Sequence, residues 1–254
     1  MTHLSKNNEH GFSIVELVIS LAITLVLLGV AIKMFNVQQD AYNSQEQVTD
    51  LHQNIRTSMD AVSREIRMAG CMVVGTSTIK TSGPSTITFL GDVDGDIVTN
   101  LATNAVAGAT TIFVSLTPDS NYSIANTDYI YISDGSHTEV VPVNSSASHL
   151  IGEPDPIYLS AGLLYSYTAG SATVRTVERV TFSLDTANLR IDRNSQPLAE
   201  NIEAMSFTYG TNTVTGATNT VTIAITGRTA NIDPNYGDNY RRGTLTSTIK
   251  LRNQ

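Results

Sequence analysis

The chain reads as an α+β protein. One long N-terminal helix, apolar all round in its first half and amphipathic in its second, packs on an antiparallel β head. Three observations predict this. Residues 12–35 are apolar or small except Glu16 and Lys33. Apolar residues then recur at three- and four-residue steps as far as Ala69, the period of one helix face. From residue 72 the period becomes two, in short runs rich in Val, Ile, Thr and Tyr separated by Gly, Asn, Asp and Pro.

Bulk composition bounds the function. With 254 residues and 41% apolar content the chain can bury a real core. A net charge of −8 argues against a nucleic-acid binder, which would present a basic face. The single cysteine, Cys71, excludes an intramolecular disulfide and a multi-cysteine zinc site. The absence of Trp and the abundance of Thr, Ser, Asn and Gly after residue 72 suit an extended, turn-rich head outside the cytoplasm.

The first half of the helix is membrane-grade. Residues 12–35 would span about 36 Å at 1.5 Å per residue, enough to cross a bilayer with some tilt. A secretory signal peptide would have a shorter apolar core and a small-residue cleavage site, whereas this run passes into Lys33-Met34-Phe35 without one. Charge gives no orientation, because the first eleven residues carry only Lys6 against Glu9. Glu16 is the anomaly. An acid at the middle of a spanning helix costs about 2.5 to 3.5 kcal/mol and less near an end, so it is usually paired or functional. The plain alternative is a helix-end acid that reaches the headgroups and is favoured by the helix dipole.

The order Gly11-Phe12-Ser13-Ile14-Val15-Glu16 resembles the type IV prepilin, or class III, signal: a polar leader ending in Gly, then Phe, then Glu at the fifth position of an apolar helix. That resemblance implies cleavage between Gly11 and Phe12 by a membrane prepilin peptidase and N-methylation of Phe12. It also implies an inner-membrane anchor that later packs in a filament core, with the head in the periplasm before assembly at the cell surface. Glu16 would then neutralise the N-terminal amine of a neighbouring subunit, and a paired carboxylate in a dry bundle can specify register. Major pilins of this family commonly carry a helix-breaking Pro in the anchor. Here the first Pro is Pro84, which favours a minor pilin or pseudopilin.

Beyond the apolar run, Val37, Ala41, Val48, Leu51, Ile55, Met59, Val62, Ile66 and Ala69 form one stripe with polar residues between them, so this half must pack against something. Gly70 is a natural stop. The expected organisation is a leader at 1–11, a membrane or filament-core half at 12–35, an amphipathic half at 36–70 and a head at 71–254. The segment Ser63-Arg64-Glu65-Ile66-Arg67-Met68-Ala69-Gly70 is similar to the end of the first helix in PilW-type minor pilins and J-type pseudopilins. Residues 198–207 and 241–253 also resemble those proteins, while residues 72–170 match less clearly. Strands are expected at 86–89, 111–114, 129–132, 140–143, 164–167, 177–184, 207–209, 220–225 and 246–251. They should form two sheets, or one long sheet with inserted hairpins.

Little in the head points to chemistry. No zincin helix, nucleophile elbow or phosphate loop occurs, and the five histidines are scattered, so an enzyme is not expected. Asp92, Asp94 and Asp96 alternate around Gly95, and such acids can converge on a hard cation such as calcium. Thr103 stands where an EF-hand would carry its bidentate Glu, and an acidic hairpin turn explains the run more simply. Related pseudopilins bind calcium in loops, so calcium stays in view as a cofactor. Cys71 is expected as a small buried residue, with a disulfide to another subunit as the alternative. The leading expectation is a minor pilin near the filament tip that assists assembly with other minor and major pilins. The rivals are a J-type pseudopilin of type II secretion, and an adhesin or ligand-binding module carried by residues 72–170.

Overall fold

The computed structural model describes residues 13–73, 79–93, 98–115, 129–145, 154–211, 218–233, 236 and 239–251. The chain divides into two units, residues 1–49 and 50–254, and one helix runs through the boundary. That helix, α1 (Ile14–Arg67), is 54 residues long and unbroken. It lies within two residues at each end of the helix read from the sequence.

In the first unit every apolar side chain of α1 from Ile14 to Val37 is exposed. Burial starts in the second unit, where Leu51, Ile55, Met59, Val62 and Ile66 lie on one face at helical spacing. The stripe was expected to pack from residue 37 onward, but Val37 and Ala41 are exposed and Val48 is half-buried. The fully buried part of the stripe therefore begins at Leu51.

The helix ends as a Gly stop predicts. Gly70 takes a positive φ of 74°, and its N–H donates to the Leu90 carbonyl at 2.8 Å. That bond docks the helix end on β2 (Thr86–Gly91), which follows β1 (Ile79–Ser82). The approach is close: a Cβ on Gly91 would stand 2.5 Å from the Met68 carbonyl oxygen.

The remaining strands are β3 (Val98–Leu101), β4 (Thr111–Ser115), β5 (Tyr129–Ser133), β6 (Thr138–Ser145), β7 (Asp155–Leu159), β8 (Thr173–Asp185), β9 (Arg190–Arg193), β10 (Gln196–Glu200), β11 (Ile202–Thr211), β12 (Thr218–Arg228) and β13 (Arg242–Lys250). Strand β8 is central. Its first residues pair with β3 on one edge and β5 on the other, and the path β8-β3-β4-β7-β6-β5 returns to β8. Every step of that circuit is antiparallel, so six strands close into a barrel. From Glu178 onward β8 leaves the barrel and pairs with β2 and β9, forming an open sheet in the order β1-β2-β8-β9-β10. A three-stranded sheet, β11-β12-β13, is separate.

Two cores result. Leu51, Ile55, Met59, Val62 and Ile66 of α1 pack with Ile87, Phe89, Val180 and Phe182 of the open sheet and with Phe207, Val221, Ile223, Ile225 and Ile249 of the three-stranded sheet. The barrel encloses its own core of Leu101, Ile112, Val114, Ile130, Ile132, Val141, Val143, Ile157, Leu159 and Val174. The barrel and the open sheet share β8 as one ten-stranded sheet beside the three-stranded one, so the expectation of two sheets is met; the alternative of inserted hairpins is not, because β3 to β7 close with β8 into a barrel. Residues 164–167, expected as a strand, are a loop laid along residues 105–109 with a single bridge between Ala105 and Tyr167. The Leu164 and Tyr165 amides donate to the Glu139 carboxylate at 2.9 and 3.3 Å, which takes them out of any ladder.

Candidate functional site

The N-terminal helix carries the predicted signal, and its start is built by Ser13. The Ser13 carbonyl accepts from the Leu17 N–H at 3.1 Å, and its Oγ accepts from the Val15 N–H at 3.3 Å, which makes Ser13 the N-cap. Glu16 stands three residues on, in the first turn, at the capping-box position, and is exposed. Both readings of Glu16 survive this geometry: the helix dipole favours an acid there, and the carboxylate is open to a neighbour. Gly11 and Phe12 lie outside the described residues.

The rest of the apolar run is self-sufficient. Ser20 Oγ donates to the Leu17 carbonyl at 2.9 Å, and Thr24 Oγ1 donates to the Ser20 carbonyl at 2.7 Å. Hydroxyls satisfied by their own helix need no water, the condition a lipid-facing segment must meet. The helix is long and apolar enough to cross a membrane, and none of its most apolar stretch is buried.

The C-terminal end of α1 has a structural role. Arg193 Nε on β9 donates to both Glu65 oxygens, at 2.9 and 2.7 Å, joining α1 to the open sheet. Arg67, two residues on, is exposed. Residues 198–207 fall in β10 and β11, and residues 242–250 are β13. Cys71 is half-buried and unbonded, and its N–H donates to the Met68 carbonyl at 2.8 Å.

Of the calcium candidates only Asp92 is described; Asp94 and Asp96 lie outside the described residues. The Asp92 N–H donates to the Cys71 carbonyl at 3.2 Å, and the neighbouring Val93 N–H donates to Glu178 at 2.8 Å, so the backbone at these two residues is held by protein groups. Among the described residues no group of three His, Cys, Asp or Glu is placed to hold a metal ion.

One end of the barrel was not foreseen. The loops at 102–110, 134–137 and 160–172 meet there around Glu139, which is buried. Asp134 folds the β5–β6 turn by accepting from the His137 N–H at 2.7 Å and the Ser136 N–H at 2.8 Å, and these bonds hold its carboxyl below the usual range. His137 stacks on Tyr165 at 4.4 Å between centroids. Burial, with the nearby Glu139 charge, pushes the Tyr167 hydroxyl far above its ordinary pKa, so it stays neutral. Leu164 and Val106 are exposed on this end. The convergence of three loops on Glu139 is a long-range arrangement that left no local signal in the sequence.

Residues 6–32 match the family model of the prokaryotic N-terminal methylation motif. The match covers the Gly11–Phe12 junction, Glu16 and most of the apolar run, and it supports a type IV pilin-like protein. The α+β architecture, with its long N-terminal helix and antiparallel sheets, is consistent with that class. Comparison with curated proteins and with solved structures returned no match.

Proposed function

We propose that the chain is a minor type IV pilin subunit of PilW type, at or near the filament tip, that assists initiation of assembly. The carrying observation is the methylation motif at residues 6–32 placed at the start of a 54-residue helix. Prepilin peptidase removes residues 1–11, Phe12 is N-methylated, and the helix first anchors the subunit in the inner membrane with the head in the periplasm. Assembly then moves the apolar surface of residues 14–35 from lipid to the helices of other minor and major pilins. Glu16 supplies a carboxylate for the amine of a neighbour. The missing anchor Pro supports the minor over the bulk role. The same features suit a J-type pseudopilin, and neighbouring genes for a pilus or for type II secretion separate the two.

Intact-mass and N-terminal analysis of the protein from its native host tests the reading. Loss of residues 1–11 and a methylated Phe12 are expected, and a mature chain that keeps Met1 overturns it. Glu16→Val should leave processing intact and lower incorporation into filaments. Normal incorporation would reduce Glu16 to a tolerated helix-end acid.

A second reading is favoured by the barrel. A closed six-strand module with its own core, inserted between β2 and the open-sheet part of β8, has the form of a displayed binding unit. On this reading the filament presents residues 98–177 to a surface or ligand. Piliated cells lacking only that module should lose adherence, and unchanged adherence excludes it.

A further inference from the structure

Sheet edges expose unpaired N–H and C=O groups, and proteins blunt them with short strands, bulges, Pro or cover. The open sheet ends on β1, four residues with a break in register, and on β10, which carries Pro197 and another break. The barrel has no edge. On β11 the Phe207 N–H donates to the Pro84 carbonyl and the Ile202 N–H to the Leu189 carbonyl, both at 2.8 Å. Among the described residues strand β13 is neither short, bulged, Pro-bearing nor covered, and its charges, Arg242 and Lys250, stand only at its two ends. It pairs with β12 through nine residues in unbroken register, from Thr220↔Lys250 to Arg228↔Arg242, and among the described residues with no other strand.

The side chains of this edge define an occupant. Thr244, Thr246 and Thr248 are exposed on one face, and Thr248 and Thr244 bond across to Thr222 and Thr226. On the other face Ile249 is buried and Leu245 is partly exposed. At the C-terminal end of the strand a cleft of about 500 Å³ is lined by Arg67, Thr248, Ile249, Lys250 and Leu251. Arg242, at the other end, is engaged by Glu203 at 2.5 Å, whereas Arg67 and Lys250 form no ion pair among the described residues. A second copy is a poor fit, because antiparallel self-pairing centred on Thr246 would bring Lys250 no acid, only Arg242, whose guanidinium is already held by Glu203.

We infer that the free edge of β13 is a docking site for an extended acidic segment of a partner protein, which adds antiparallel to the sheet and seats a carboxylate between Arg67 and Lys250. Its backbone continues the ladder, its apolar side chains meet Leu245, and its hydroxyls extend the threonine row. This inference does not depend on how the N-terminus is processed.

The test uses the full chain in detergent micelles. The probe is a labelled nine-residue peptide of alternating threonine and valine with glutamate at its amino end, N-methylated on alternate amides so that one edge alone can pair. Binding should slow hydrogen exchange within 242–250. Replacing the glutamate by glutamine, or Lys250→Glu in the protein, should weaken binding about tenfold, and a lysine-headed peptide should regain affinity for Lys250→Glu. Unchanged exchange in 242–250, or affinity indifferent to the peptide charge, overturns the proposal. So does concentration-dependent self-association that slows the same amides without peptide, since that would give the edge to a second copy.

Discussion

Residues 14–37 and residues 51–66 belong to one helix with one backbone geometry, yet their apolar side chains meet opposite fates. Ile14 is 82% exposed and Leu25 60%, while Val62 and Ile66 are 0% exposed. The first stretch is apolar on every face, so no single sheet could cover it; the second is apolar on one stripe, and the head covers that stripe. The difference teaches that the number of apolar faces, more than helix propensity, tells which part of a long helix needs an external partner.

Mutations can break this comparison or sharpen it. Ile66→Asp places an unpaired charge in the core and should cost about 4 kcal/mol or more, unfolding the head in denaturant titrations of the full chain in detergent. Leu25→Asp should leave that unfolding midpoint unchanged and weaken membrane retention alone; a fall in head stability would mean that the two stretches are not independent. Gly91→Ala forces a methyl against the Met68 carbonyl and should cost about 1 to 3 kcal/mol by loosening the helix end from β2. Tyr209→Phe should cost about 1 kcal/mol, because its hydroxyl, pushed up to about 12 by burial, donates to the Gly83 carbonyl at 3.2 Å.

The smallest effect concerns acid. Asn188 holds the Asp185 carboxyl low, and Arg242 does the same for Glu203. Asp134 is held low by the amides of its own turn. A carboxylate with a depressed folded pKa stabilises above its unfolded pKa and loses that contribution as pH falls through the folded value. Stability should therefore be flat from pH 7 to about 5 and decline below about 4. These groups are half-buried at the surface, where solvent still screens them, so the decline should be shallow, and Glu203→Gln should flatten it further.

The helix was legible because its signals are local: a 3.6-residue period, no internal Pro and Gly70 at the end. The methylation motif was legible for the same reason, while the partner proposed for Glu16 would lie in another molecule. Strands with two-residue alternation, such as 111–114 and 220–225, were also read correctly. Five strands were missed. β9 and β10 are short and charged, β7 begins with Asp-Pro, and β1 and β3 have only four residues each. Residues 164–167 alternate like a strand, but Glu139 claims two of their amides. Barrel closure was illegible because it depends on which partners the two edges of β8 select, a long-range choice that leaves no local period.

Strand β8 is also a mechanical member. Its 13 residues, about 43 Å at 3.3 Å per residue, run from the barrel wall into the sheet that rests on the helix core. A tug on the barrel passes along this strand and loads its ladders with β2 and β9 lengthwise, so many hydrogen bonds must yield together. The barrel is thus tethered as a tendon is to bone, by continuous fibre across the joint.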